Sequence, residues 1–175
     1  LQNDNQFADV GVLLNHPMTK TRPMRLPNGK TLEMTVRYGG SFGIPGVSDQ
    51  PTIFLHAKSK LKERSIGEPV GKSDNGSSKI WICGEDQVII AIAEGHASLK
   101  DFLCIEGFSI WNKDAGPIEG GILGEILSGK FELVDDKYTD EMWTTLLAQN
   151  PLSLDTIDRN CRLASEAWGV AGLSD

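Results

Sequence analysis

The sequence predicts an α+β domain, and three observations carry that prediction. Short strand-like runs crowd the first half, amphipathic helical stripes crowd the second, and glycine or Asn-Gly breaks punctuate both. Segregation of this kind argues against a parallel sheet in which strand and helix alternate regularly. The 175 residues, 39% hydrophobic and 23% charged, suffice for one core, so residues 1–175 read as a single domain.

Residues 10–14 are an aliphatic run halted by Asn15-His16-Pro17, the pattern of a buried strand entering a turn. Residues 24–34 hold Pro27-Asn28-Gly29-Lys30 between two alternating runs, and Asn-Gly accepts the positive φ angles of a tight hairpin. Residues 36–38 read as a further strand closed by Gly39-Gly40, where the chain bends or another backbone comes close. Another strand follows over 52–56. Residues 58–78 are rich in Lys, Gly and Ser and poor in apolar side chains, so they read as a long surface excursion before a strand over 79–83.

Residues 85–94 place Val88, Ile89, Ile92 and Ala93 at helical spacing, with Gly95 available to stop the helix. Residues 102–111 are apolar and β-prone, a central strand paired on both sides. A helix over 117–128 has Pro117 at its start, Ile118, Ile122, Leu123, Ile126 and Leu127 on one stripe, and Gly129 at its end. A short strand over 131–134 leads to Thr139-Asp140-Glu141, a capping signal for a helix through Met142, Leu146 and Leu147. A last helix runs over 155–168 to Gly169.

The longest aliphatic run, residues 88–93, is far short of the roughly 20 apolar residues that cross a bilayer. The expectation is a soluble chain that associates with a membrane peripherally if at all. Cys83, Cys104 and Cys161 have no CxxC or metal-ligand spacing and read as buried reduced thiols. His16, His56 and His96 form no H-x-H or H-E-x-x-H pattern, so neither a metal nor another cofactor is expected. Ser41, His56 and Asp49 are the residue types of a hydrolase triad, but no G-x-S-x-G elbow accompanies them. Gly116-Pro117-Ile118-Glu119-Gly120-Gly121 lacks both the dinucleotide fingerprint and the P-loop Lys-Ser/Thr, and reads as a sharp corner. Trp81, Trp111, Trp143 and Trp168 lie in apolar patterns that suit a core or an interface.

The net charge of −7 opposes binding to nucleic acid, and no helix-turn-helix pattern is present. The charge is uneven, however. Residues 58–79 carry six Lys or Arg against three acids, a balance of +3 that leaves −10 elsewhere. Lys58, Lys60, Lys62 and Arg64 are therefore the candidate docking residues for an acidic partner.

Several strings in this order resemble the YqgE/AlgH family of bacterial and plant or algal plastid-type proteins. Gly11-Val12-Leu13-Leu14-Asn15-His16-Pro17 is similar to its G-L-V-L-N-R-P, and Tyr38-Gly39-Gly40 with Ile53-Phe54-Leu55-His56 to its Y-x-G-G-P and the strand after it. Gly107-Phe108-Ser109-Ile110-Trp111 and Gly116-Pro117 resemble G-Y-A-G-W and G-P-G-Q-L-E. Phe131-Glu132-Leu133-Val134 and Met142-Trp143 resemble the closing strand and W-x-x-A-L helix, so the likeness spans about residues 10–147. His16 stands where the family has Arg, Ile110 where it has Gly, and Asn112-Lys113-Asp114 is extra. The resemblance implies a coiled, bifurcated, mostly antiparallel sheet with helices packed mainly from the C-terminal half, and it brings no established reaction. Some bacterial members are labelled transcriptional regulators. It also implies strand-forming sequence upstream of Leu1, and the polar loop after His56 fits a plastid-targeted member; the alternative compartment is a reducing one such as the cytoplasm.

Two functional expectations follow. The first is a non-enzymatic interaction or scaffold protein, a peripheral subunit of a larger organellar assembly with a protein partner, because chemistry-bearing residues are dispersed while fold elements are well specified. The second is a small-molecule-binding or regulatory domain with a cleft near Asn15, His16, Gly40 and His56, at the ends of neighbouring strands.

Overall fold

The computed structural model describes residues 8–40, 52–70, 78–112, 121–129, 138–153 and 155–157. β1 (Ala8–Gly11) leads into β2 (Pro17–Arg25), which folds back as β3 (Thr31–Tyr38). The turn forms where Asn-Gly predicts it: Gly29 has φ 83°, and the Asn28 Oδ1 accepts the Lys30 backbone N–H at 3.0 Å. β4 (Thr52–His56) is followed by the one-turn helix α1 (Ser59–Lys62), then by β5 (Glu68–Pro69) and β6 (Trp81–Cys83). After α2 (Glu85–Ala93) come β7 (Phe102–Glu106), β8 (Ser109–Asn112), α3 (Gly121–Leu127) and α4 (Thr139–Ala148).

The result is a mixed α+β fold whose six-stranded sheet has the order β2-β3-β7-β4-β6-β5 and does not close into a barrel. Neighbours in it are antiparallel except β3 and β7, which run parallel. β1 and β8 form a separate antiparallel pair. All five residues of β7 are buried, because strands flank it on both sides and packing covers both of its faces. Its side chains alternate between two clusters. Phe102 and Cys104 join Val36, Phe54 and the α2 residues Val88 and Ala91, whereas Leu103 and Ile105 join Leu55 and the α4 residues Trp143 and Leu146. The sheet thus lies between α2 and α4.

Local signals hold well in α2, which starts beside Gly84, whose N–H donates to the Gln87 side chain, and is followed by Gly95 at φ 73°. Gly129 at φ 77° follows α3 in the same way. Other expectations are corrected. Residues 102–111 are two strands in two sheets, because Gly107 at φ 81° turns the chain after Glu106. Residues 36–38 are the continuation of the hairpin strand. The first strand ends at Gly11, and Val12, Leu13 and Leu14 pack half-buried beyond it. The segment expected as a bare surface excursion carries α1 and β5, with Leu61 and Ile66 buried in the core. Thr139 is the first residue of α4 and does not cap it; Tyr138 is the N-cap residue. Met142 and Leu147, expected on the inner stripe, are exposed, while Trp143 and Leu146 face inward. The strand over 131–134, residues 117–120, Trp168 and most of the helix over 155–168 lie outside the described residues.

The C-terminal segment returns to the sheet: Leu152 bridges Met18 in parallel, with Leu152 N–H to the Pro17 carbonyl at 2.7 Å and Thr19 N–H to the Leu152 carbonyl at 2.9 Å. Ile157 beyond it is fully buried. Among the described residues no helix is long and apolar enough to cross a membrane.

Candidate functional site

The two ends of β7 hold the polar groups. At its C-terminal end the Glu106 side chain is 7% exposed and pairs with Lys20 at 2.5 Å, and Arg22 Nη1 lies 4.0 Å away. A carboxylate that deep needs a partner, since an unpaired buried charge is costly. Arg22 in turn pairs with Glu85 at the start of α2 at 2.7 Å, and that hydrogen bond raises its pKa. Two cations and two carboxylates therefore tie β2, β7 and α2 together. Arg22 Nε is buried without a hydrogen-bond partner.

The same end carries Gly39-Gly40. A Cβ on Gly39 would collide with the Gly107 carbonyl, and one on Gly40 (φ 145°) with Ser109 Oγ and the Phe108 backbone. Two backbones meet here with no room for side chains, as the paired glycines predict. Asn15 is exposed nearby; His16 is half-buried, its carbonyl accepts the Tyr38 N–H at 2.9 Å, and burial lowers its pKa.

His56 lies at the opposite end of β7. β4 is antiparallel to β7, with His56 across from Phe102 and Thr52 across from Glu106, whereas β3 is parallel to β7 and brings Tyr38 beside Glu106. His56 ends β4 and Gly40 lies just past the end of β3, yet four residues of β7, about 13 Å of strand, separate the two strand ends. The predicted cleft of Asn15, His16, Gly40 and His56 is corrected accordingly: the first three share a region and His56 does not join them.

His56 is fully buried and both ring nitrogens are engaged. Nε2 is 2.9 Å from the Ile66 carbonyl, and Nδ1 accepts the Lys58 backbone N–H at 3.3 Å, so the neutral Nε2–H tautomer satisfies both. Its ring stacks on Trp81 at 5.4 Å and meets Phe102 edge-on at 5.8 Å. It serves the fold and has no nitrogen left for proton transfer. Ser41 and Asp49 lie outside the described residues. Cys83 and Cys104 are buried and free, and burial pushes both thiols up to about 12, far from nucleophilic thiolates. Cys161 lies outside the described residues. Among the described residues no three His, Cys, Asp or Glu side chains gather as a metal would require.

The candidate docking residues sit together around α1. Lys58 pairs with Asp101 at 3.0 Å, Lys62 Nζ lies 5.9 Å over the Trp81 ring, and Lys60 and Arg64 are exposed.

Sequence reasoning missed Arg37. It sits in the alternating run Glu33-Met34-Thr35-Val36-Arg37, which reads as polar side out, yet it is 5% exposed. The C-terminal end of α4 covers this face, and the guanidinium donates to the Leu14 carbonyl at 2.6 Å, to the Gln149 side chain at 3.0 Å and to the Leu146 carbonyl. Desolvation lowers its pKa. Beside it a hollow of about 610 Å³ is lined by Pro17, Thr35, Arg37, Leu103, Lys100 and Gln149 among others. Glu106 was missed too, although a charge closing the run Phe102-Leu103-Cys104-Ile105 is a readable signal.

No protein-family model, no curated protein and no solved structure matches the chain.

Proposed function

We propose that this chain is a non-enzymatic interaction domain of the YqgE/AlgH type, a peripheral subunit of a larger assembly in a plastid. One observation supports the reading above the others: large apolar side chains remain on the surface of α3 and α4. α3 has no buried residue, with Leu123 54% and Leu127 70% exposed, and Tyr138, Met142 and Leu147 at α4 are exposed as well. Apolar surface of this kind is covered by partners in assembled proteins. Arg37 and His56, two ionisable groups that burial perturbs, are meanwhile engaged inside the fold.

The test is recovery of the tagged full-length protein from its native source. A stoichiometric protein partner that is lost on Leu123→Glu/Leu127→Glu, with melting temperature unchanged, supports the reading. A protein recovered alone, and unchanged by that variant, refutes it. A small-molecule-binding or regulatory domain is the second reading, favoured by the hollow beside Arg37 and Lys100. An ordered ligand in that hollow in protein from the native source would decide for it.

A further inference from the structure

The corner built on α1 is one of two stretches where the charge runs against that of the whole chain; the other, residues 10–32, has Lys20 and Arg22 already paired with Glu106 and Glu85. Lys58, Lys60, Lys62 and Arg64 against Glu63 give +3 over residues 58–64, so the rest carries −10 in a chain of −7. A run of charge is ordinarily a mobile solvated face. This one is fastened. Leu61 is fully buried beneath it, Ile66 nearly so, and His56 holds both ends through the Lys58 N–H and the Ile66 carbonyl. Ser65 at φ 59° sits in the left-handed region that side chains seldom adopt, a conformation the surrounding contacts must hold. Among the described residues no carboxylate pairs with Lys60, Lys62 or Arg64, whereas Lys58 is already neutralised by Asp101.

We infer that this corner docks an acidic segment of a partner protein, with Lys60, Lys62 and Arg64 as the contact residues. The inference rests on the interaction reading above and adds the chemistry of the partner. Three cations presented from one anchored turn complement a short run of carboxylates, and a backbone already held in place loses less freedom on binding. A nucleic acid is disfavoured by the net charge of −7 of the whole chain.

The full chain is titrated with a labelled hexaglutamate peptide and with its hexaglutamine counterpart. The expected result is at least about tenfold tighter binding of hexaglutamate, weakening as salt rises from about 0.05 to 0.3 M. Lys60→Glu/Lys62→Glu/Arg64→Glu abolishes the preference with melting temperature unchanged, while Lys30→Glu in the hairpin turn, outside the corner, leaves it intact. Equal binding of the two peptides, an unaffected triple variant, or stronger binding to polyuridylate or to anionic phosphatidylserine vesicles overturns the inference. The two readings separate in the native-source experiment. A partner kept by the triple variant but lost on Leu123→Glu/Leu127→Glu leaves the interaction domain standing and removes the acidic segment; a chain recovered alone sinks the interaction reading, and the peptide titration still decides this one.

Discussion

Removing the His56 ring tests whether a buried histidine, and not local propensity, holds the α1 corner. His56→Ala strands the Ile66 carbonyl and the Lys58 N–H and leaves a void between Trp81 and Phe102. Each orphaned group costs about 1–3 kcal/mol and the void adds to that, so the expected loss is about 4 kcal/mol. Urea denaturation at pH 8 measures it, and hydrogen exchange at the Leu61, Arg64 and Ile66 amides reports whether the corner opens first. The pH dependence supplies a second readout. Burial holds His56 below its ordinary 6.5, outweighing the opposing pull of the Ile66 carbonyl and of Asp101; Lys58, and Lys62 over Trp81, are the cations nearby. In the window just below pH 6.5 the unfolded chain binds this proton and the folded chain does not. Stability is therefore full above 6.5 and falls as pH drops toward the lowered folded value. His16, also lowered by burial, contributes a slope of the same sign, so the difference between wild type and His56→Ala isolates His56. A variant within about 1 kcal/mol of wild type, or one with an unchanged slope below pH 6.5, refutes the reasoning.

Arg37→Met strips the Leu14 and Leu146 carbonyls of their donor, and loss of about 3 kcal/mol is expected, with faster hydrogen exchange across α4 than across α2. Gly40→Ala forces a side chain into φ 145° against Ser109 and the Phe108 backbone; about 2–4 kcal/mol is lost, read as a lower denaturation midpoint. In a Cys161→Ser background, Cys83 and Cys104, with thiols pushed up to about 12, are expected to resist an aromatic disulfide reagent at pH 8 until denaturant is added.

The elements decided within a few residues are the ones legible in the sequence. The Asn28-Gly29 hairpin, the helix before Gly95 and the stop at Gly129 follow from backbone preferences that act locally, and the α+β class follows from how strand and helix patterns are distributed. The basic balance of residues 58–64 is likewise a count that folding does not alter. Tertiary structure decided everything that depends on which strand lies beside which. Strand direction cannot be read from periodicity, because a strand alternates identically whether its neighbour runs parallel or antiparallel. The parallel β3–β7 pair and the antiparallel β4–β7 pair therefore separated Gly40 from His56 and dissolved the predicted cleft. Arg37 was unreadable for a related reason: alternation says which residues share a face, and only the packing of α4 decides that a face bearing Arg37 is buried.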